Sequence, residues 1–170
     1  MLDGAKVYTT KDKILSWVPS VIIIPVAIYF LSNYGSYTLI DNFDLIIHEA
    51  GHAIFSFFGE TIYILGGTLM QIIVPSLLIA YGLLSMKRTI FQVTVCLLAQ
   101  NLINISVYAG DAMTQKIRLF GPPGVKHDWH GILLKYNMLD YTDDISMFFL
   151  VMAGIMFLIA ILSPLFIKEW

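Results

Sequence analysis

The chain has 170 residues, a net charge of −2, 58% hydrophobic residues and only 13% charged ones, about half the charged share of soluble domains. A water-soluble fold of this size is excluded by the apolar surface it would have to hide, so the composition fits a lipid bilayer. The small charge, with no basic stripe, excludes a nucleic-acid partner, and a single cysteine, Cys96, excludes an intramolecular disulfide.

A spanning helix needs about 20 mostly apolar residues. The first apolar run, 17–31, begins late and is followed by Ser32-Asn33-Tyr34-Gly35 rather than a small-x-small cleavage pattern. It therefore reads as a retained span, about 16–32. The next stretch, about 39–58, is apolar apart from Asp41, Asn42, Asp44, His48, Glu49 and His52. Asp41 and Asp44 suit the start of a helix, where carboxylates meet the positive end of the dipole. Ionisable groups in a membrane segment are costly unless they face a protein interior, so function is expected here. Further spans are expected at about 62–84, 89–110 and 145–167, the second with Cys96 as a packed small residue.

The loop at 111–144 is the one sizeable polar segment. Its Gly121-Pro122-Pro123-Gly124 run predicts a turn. Residues 131–139 predict an amphipathic helix at the interface, with Trp129 and Tyr136 at headgroup depth. Asp140, Asp143 and Asp144 read as a solvated run. Pro25, Pro75 and Pro164 fall inside spans, where neighbouring helices allow kinks. The expected fold is thus a single all-α membrane domain over 1–170 with about five transmembrane helices. It comprises a core at 39–111, the 111–144 loop and a last span at 145–167.

Five spans put the amino-terminal Lys6, Lys11 and Lys13 on the same side as Lys116, Arg118, Lys126 and Lys135, against Lys87, Arg88 and Lys168 opposite. The positive-inside rule then places the N-terminus and the 111–144 loop in the cytosol, with the chain in the cell membrane. Lys87-Arg88 dissents.

His48-Glu49-Ala50-Gly51-His52 carries the chemistry. Residues four apart on a helix share a face, so His48 and His52 can offer two imidazoles to one metal. Glu49 sits beside them as a base for a metal-activated water. Zinc suits this role because it acidifies water and polarises carbonyls. A shared metal also offsets the several kcal/mol that burying such groups unpaired would cost. Gly51 permits close approach of another helix. A third protein ligand is expected from Asp111, Asp128, His127, His130 or Glu60. In the five-span count Asp111 closes the fourth span at compatible depth, after the polar Gln100, Asn101 and Asn104. The cluster His127-Asp128-Trp129-His130 is the second densest group of candidates; it can act as a lid, supply Asp128 or His127 as ligand, or simply be a solvated turn.

The HExGH motif, then Gly59 and Ile62-Tyr63-Ile64-Leu65-Gly66-Gly67, resembles the core of the site-2 protease family of intramembrane metalloproteases, over about 44–111. The resemblance implies a short strand-like or re-entrant segment after the zinc-motif helix. It implies zinc held by His48, His52 and Asp111, with Glu49 as the base and Asn101 or Asn104 holding a substrate backbone. The sequence departs from the family in having Ala109-Gly110-Asp111-Ala112 in place of Leu-Asp-Gly and no proline after the asparagine. The activity implied is hydrolysis of a membrane-associated peptide or protein. Two alternatives stand beside it: a zinc-dependent hydrolase of a lipid or small amphiphile, and a non-catalytic metal-binding membrane scaffold.

Overall fold

A computed structural model of the chain describes residues 9–120 and 124–167; Gly121, Pro122 and Pro123 of the expected turn, and Lys6 and Lys168, lie outside them. The described residues are helical, with no strand among them: α1 (Thr10–Leu15), α2 (Val18–Ser32), α3 (Leu39–Phe55), α4 (Glu60–Leu84), α5 (Arg88–Gly110), α6 (Asp128–Lys135) and α7 (Thr142–Leu162). Four stretches are long and apolar enough to cross a membrane: Thr10–Ser32, Glu60–Leu84, Arg88–Gly110 and Leu139–Leu165. The expected fifth, α3, has 17 residues, about 25 Å at 1.5 Å per residue. Its carboxylates and histidines occupy the face that a span would give to lipid or to packing.

Helix α5 is the centre of the bundle. In its apolar window 67% of residues are buried, against 17% in the first and last spans. The contact between α5 and α7 is lined by Ala99 and Ala109 on one helix and Ala153 and Ala160 on the other, all fully buried. Small residues suit this role because lipid gives no hydrophobic reward for helix association, and close backbone approach must supply the contact energy. Pro25 and Pro75 lie inside α2 and α4, as expected, whereas Pro164 sits in the 3₁₀ turn Ser163–Leu165 that ends the last span.

Two polar layers set the order of the ends. Gln92 donates to Ser20 Oγ (2.9 Å) and to the Ala160 carbonyl (3.1 Å). At the other layer Tyr34 Oη meets Ser106 Oγ (2.9 Å) and Ser146 Oγ (3.2 Å). The two layers are fourteen residues apart along each of the three chain segments, or about 21 Å along α5 and α7. Helices α2 and α5 therefore run one way and α7 the other.

Helix α3 begins beside the Tyr34 layer, through a capping box in which Thr38 N–H and Oγ1 both donate to Asp41 Oδ2 (2.5 and 2.6 Å). It ends in the 3₁₀ turn Ser56–Phe58 and at Gly59, whose φ of +86° favours glycine. From there α4 starts beside the 111–144 loop, where Thr61 Oγ1 meets Tyr136 Oη (3.1 Å). Helix α3 thus returns to the end it left. The five-span count puts the amino-terminal lysines and the 111–144 loop at one end; the structure puts them at opposite ends. Lys87 and Arg88 now share an end with Lys11 and Lys13.

The segment after the motif helix is also corrected. Residues 62–67, expected to be strand-like or re-entrant, form the first turns of α4. Their glycines serve helix packing instead. A Cβ on Gly51 would lie 2.1 Å from the Gly66 carbonyl oxygen, and one on Gly66 would lie 2.8 Å from that of Gly51. Helix α6 likewise differs from the expected interfacial helix. It starts at Asp128 and buries Trp129, Ile132 and Leu133 against the bundle, with Trp129 edge-on to Phe149 (5.6 Å).

Candidate metal centre

Helix α3 presents His48 and His52 on one face, four residues apart, and the packing of α4 fixes both rings. His48 Nδ1–H donates to Gln71 Oε1 (3.0 Å), and His52 Nδ1–H donates to the Tyr63 carbonyl (2.8 Å). Each ring therefore turns its Nε2 the same way, and the two Nε2 atoms lie 3.1 Å apart. Gly67 makes room, since a Cβ there would lie 2.4 Å from His48 Nε2.

The third group comes from the loop. Asp128, first residue of α6, brings Oδ2 to 2.9 Å from His48 Nε2 and 3.1 Å from His52 Nε2. Tyr108 of α5 helps hold it there: Asp128 N–H donates to Tyr108 Oη (3.1 Å), and the phenol reaches back to Asp128 Oδ2 (3.4 Å). Burial raises the Asp128 carboxyl, and hydrogen bonds and positive charge from His48 and His52, once those rings are protonated, bring it down to about 2.

With both Nδ1 atoms donating, neutral imidazoles present only lone pairs to one another and to the carboxylate. A proton on one ring relieves this, and the hydrogen bond to Asp128 accordingly raises the His52 pKa; protonating both rings puts two like charges 3.1 Å apart. A metal ion is the other cation that could satisfy the three groups, whose ligand atoms lie close enough together to share one. Two imidazole nitrogens and a carboxylate oxygen are donors of the kind that zinc takes. The donor–donor separations of 2.9–3.1 Å are a few tenths of an ångström shorter than the roughly 3.4 Å edge of a tetrahedron with bonds of about 2.1 Å.

The other sequence candidates go elsewhere. Asp111 ends α5 and serves a turn: Oδ1 accepts from Thr114 Oγ1 (2.5 Å) and Lys116 N–H (2.8 Å), and Oδ2 accepts from Ile117 N–H (2.8 Å). His127 is buried, stacks on Tyr108 (4.2 Å between rings), and sets Nε2 at 3.6 Å from Asp111 rather than in the cluster. Burial lowers its pKa, despite Asp111 and Asp128 nearby, so the ring is uncharged at neutral pH. His130 Nδ1–H donates to the Ala112 carbonyl (2.8 Å), and Glu60 pairs with Lys135 (2.5 Å) at the surface. Asn101 donates to the Leu97 carbonyl within its own helix (3.0 Å). Asn104 is held at both ends, accepting from Gln71 Nε2 (2.9 Å) and donating to Asp41 Oδ1 (2.8 Å). Gln71 and Tyr108 were not singled out from sequence; the signal was there for Gln71, an amide alone in an apolar span.

Glu49 is exposed and lines a cavity of about 800 Å³ together with His48, His52 and Asp128. The cavity's apolar wall includes Phe30, Leu45, Ile103 and Val107. Comparison with protein-family models, with curated proteins and with solved structures finds no match to this chain.

Proposed function

We propose that the protein is a membrane-embedded zinc metallopeptidase acting on a membrane-associated peptide or protein. The observation that carries this reading is the convergence of His48 Nε2, His52 Nε2 and Asp128 Oδ2 within 3.1 Å, on the wall of a cavity that Glu49 also lines. A zinc ion held there would supply Lewis-acid activation of a scissile carbonyl and of water. His48 and His52 would hold it through Nε2 while their Nδ1–H bonds lock the rings, and Asp128 would add the anionic ligand. Glu49 takes the proton from the attacking water and passes it to the leaving amine. The apolar wall admits a hydrophobic segment and excludes bulk water. That same wall supports a second reading, hydrolysis of a lipid or small amphiphile, with the same residues in the same roles.

The test uses the full-length protein in detergent, offered membrane-spanning peptides and phospholipids separately. Peptide cleavage that falls by about 10² to 10⁴ in Glu49→Gln, with zinc content unchanged, is the expected result. Consumption of lipid alone would transfer the function to the second reading, and full activity in Glu49→Gln would overturn the mechanism.

Four crossings imply a sidedness different from that of five. In a Cys96→Ser background, Lys13→Cys and Gln115→Cys are expected to react with an impermeant maleimide from opposite faces of a sealed vesicle. Labelling from one face would restore the five-span count. Among the described residues, Lys11, Lys13, Lys87 and Arg88 lie at one end and Lys116, Arg118, Lys126 and Lys135 at the other, four against four.

A further inference from the structure

His48 is one end of a chain of hydrogen bonds that follows the wall of the cavity, which His48, Gln71, Asn104 and Asp41 all line. Its Nδ1–H donates to Gln71 Oε1 (3.0 Å), Gln71 Nε2 donates to Asn104 Oδ1 (2.9 Å), and Asn104 Nδ2 donates to Asp41 Oδ1 (2.8 Å). Asp41 is buried; its Oδ1 also takes Gln100 Nε2 (3.3 Å), and its other oxygen takes Thr38 N–H and Thr38 Oγ1. The chain spans three helices, α3, α4 and α5, and returns to the one it began on.

A carboxamide has a donor at one edge and an acceptor at the other, so two in series can run in either direction. An ionised carboxylate only accepts. With Asp41 at the far end, Asn104 must offer its NH₂ there and its oxygen to Gln71. Gln71 must then offer its NH₂ to Asn104 and its oxygen to His48. The imidazole is left with its proton on Nδ1 and its lone pair on Nε2, the atom 2.9 Å from Asp128. Reversing the two amides would aim an N–H at His48 Nδ1, move the ring proton to Nε2, and close that nitrogen to a metal.

We infer that Asp41, Asn104 and Gln71 are positioning residues that set the tautomer of His48 for metal binding. This inference rests on the metal-site reading above. It also changes the part the sequence resemblance implies for Asn104, whose amide is occupied at both edges by Gln71 and Asp41.

The experiment moves the carboxylate from one end of the chain to the other. Asp41→Asn is isosteric. Its oxygen still accepts from Thr38, which keeps the helix cap, while its NH₂ faces Asn104 and, at longer range, Gln100, whose contact is lost equally in the double variant. Both amides are then free to reverse. In the double variant Asp41→Asn, Gln71→Glu, the direction is reversed throughout, yet an acceptor again faces His48 Nδ1. Zinc affinity is measured on full-length detergent-purified protein by competition with a chromophoric chelator, and Co²⁺ spectra report the coordination. Size-exclusion profile and helicity check each variant's fold.

Asp41→Asn is expected to weaken zinc binding by about 10- to 100-fold, the usual effect of losing a partner that orients a ligating histidine. The double variant is expected to recover to within a few-fold of wild type and to regain its Co²⁺ spectrum. Unchanged affinity in Asp41→Asn overturns the inference. So does a double variant as weak as the single one, since a merely structural role for Asp41 predicts further loss. Wild-type protein that binds no zinc would instead overturn the metal site itself, and His48→Ala separates that case by abolishing whatever binding wild type has.

Discussion

Asp128 and Asp111 are seventeen residues apart at the same end of the bundle, yet their surroundings ask opposite things of a carboxylate. Asp111 is met by a hydroxyl and two backbone N–H groups, so its lone pairs are already spoken for. Asp128 Oδ2 faces two imidazole nitrogens whose own protons point elsewhere. A carboxylate filled by fixed donors shapes a loop; one that faces two imidazole nitrogens could join them in holding a metal ion. Donor count, not proximity to the HExGH motif in sequence, distinguishes the two.

The sharpest way to break this contrast is metal analysis of matched variants. His48→Ala and Asp128→Ala are expected to lose the bound ion on desalting, whereas Asp111→Ala keeps it. Loss in the last and retention in Asp128→Ala would exchange the two roles. Next in size is Gly67→Ala, whose methyl would lie 2.4 Å from His48 Nε2. It is expected to weaken zinc binding at least about tenfold, about 1.4 kcal/mol, while the α3–α4 pair still forms.

Asp111→Asn acts on stability instead. Burial raises the Asp111 carboxyl, but the Thr114 hydroxyl and the Ile117 and Lys116 N–H groups more than offset this and hold it below its ordinary value. A carboxyl lowered in the folded state stabilises above its unfolded pKa, near 4, and that stability is lost as pH falls through the folded value. The variant is expected to lose about 1–3 kcal/mol at neutral pH and to show a flatter acid limb in thermal unfolding, with metal content unaltered. A variant as stable as wild type at pH 7 would refute the turn-holding role. The smallest effect belongs to Lys135 and Glu60, which pair in the open. Lys135→Ala should leave the unfolding midpoint within error, as exposed ion pairs generally do.

The parts of this molecule that sequence made readable are those that depend on spacing along one helix. His48 and His52 share a face because four residues make about one turn, and Glu49 follows from its place between them. The four apolar spans declare themselves by length. The remainder depends on contacts between distant segments. Asp128 lies 76 residues beyond His52, and the turn held by Asp111, the docking of Trp129 and the Tyr108 hydroxyl bring it back; sequence order favoured Asp111. The glycines at 66 and 67 fit a strand end or a helix crossing equally well until Gly51 is set opposite them. The extra crossing was inferred because α3 is apolar over most of its length, and apolar content does not say whether a helix traverses or returns.

Gly67 has one more consequence. Because nothing projects from that position, the His48 ring rests in a slot against the backbone of α4, and its torsional freedom is surrendered when the helices associate, before any ion arrives. The entropy of ordering the ligand is thereby charged to folding instead of to capture. A site prepared in this way should take up its ion quickly, with a small entropic penalty measurable by calorimetry, and release it slowly.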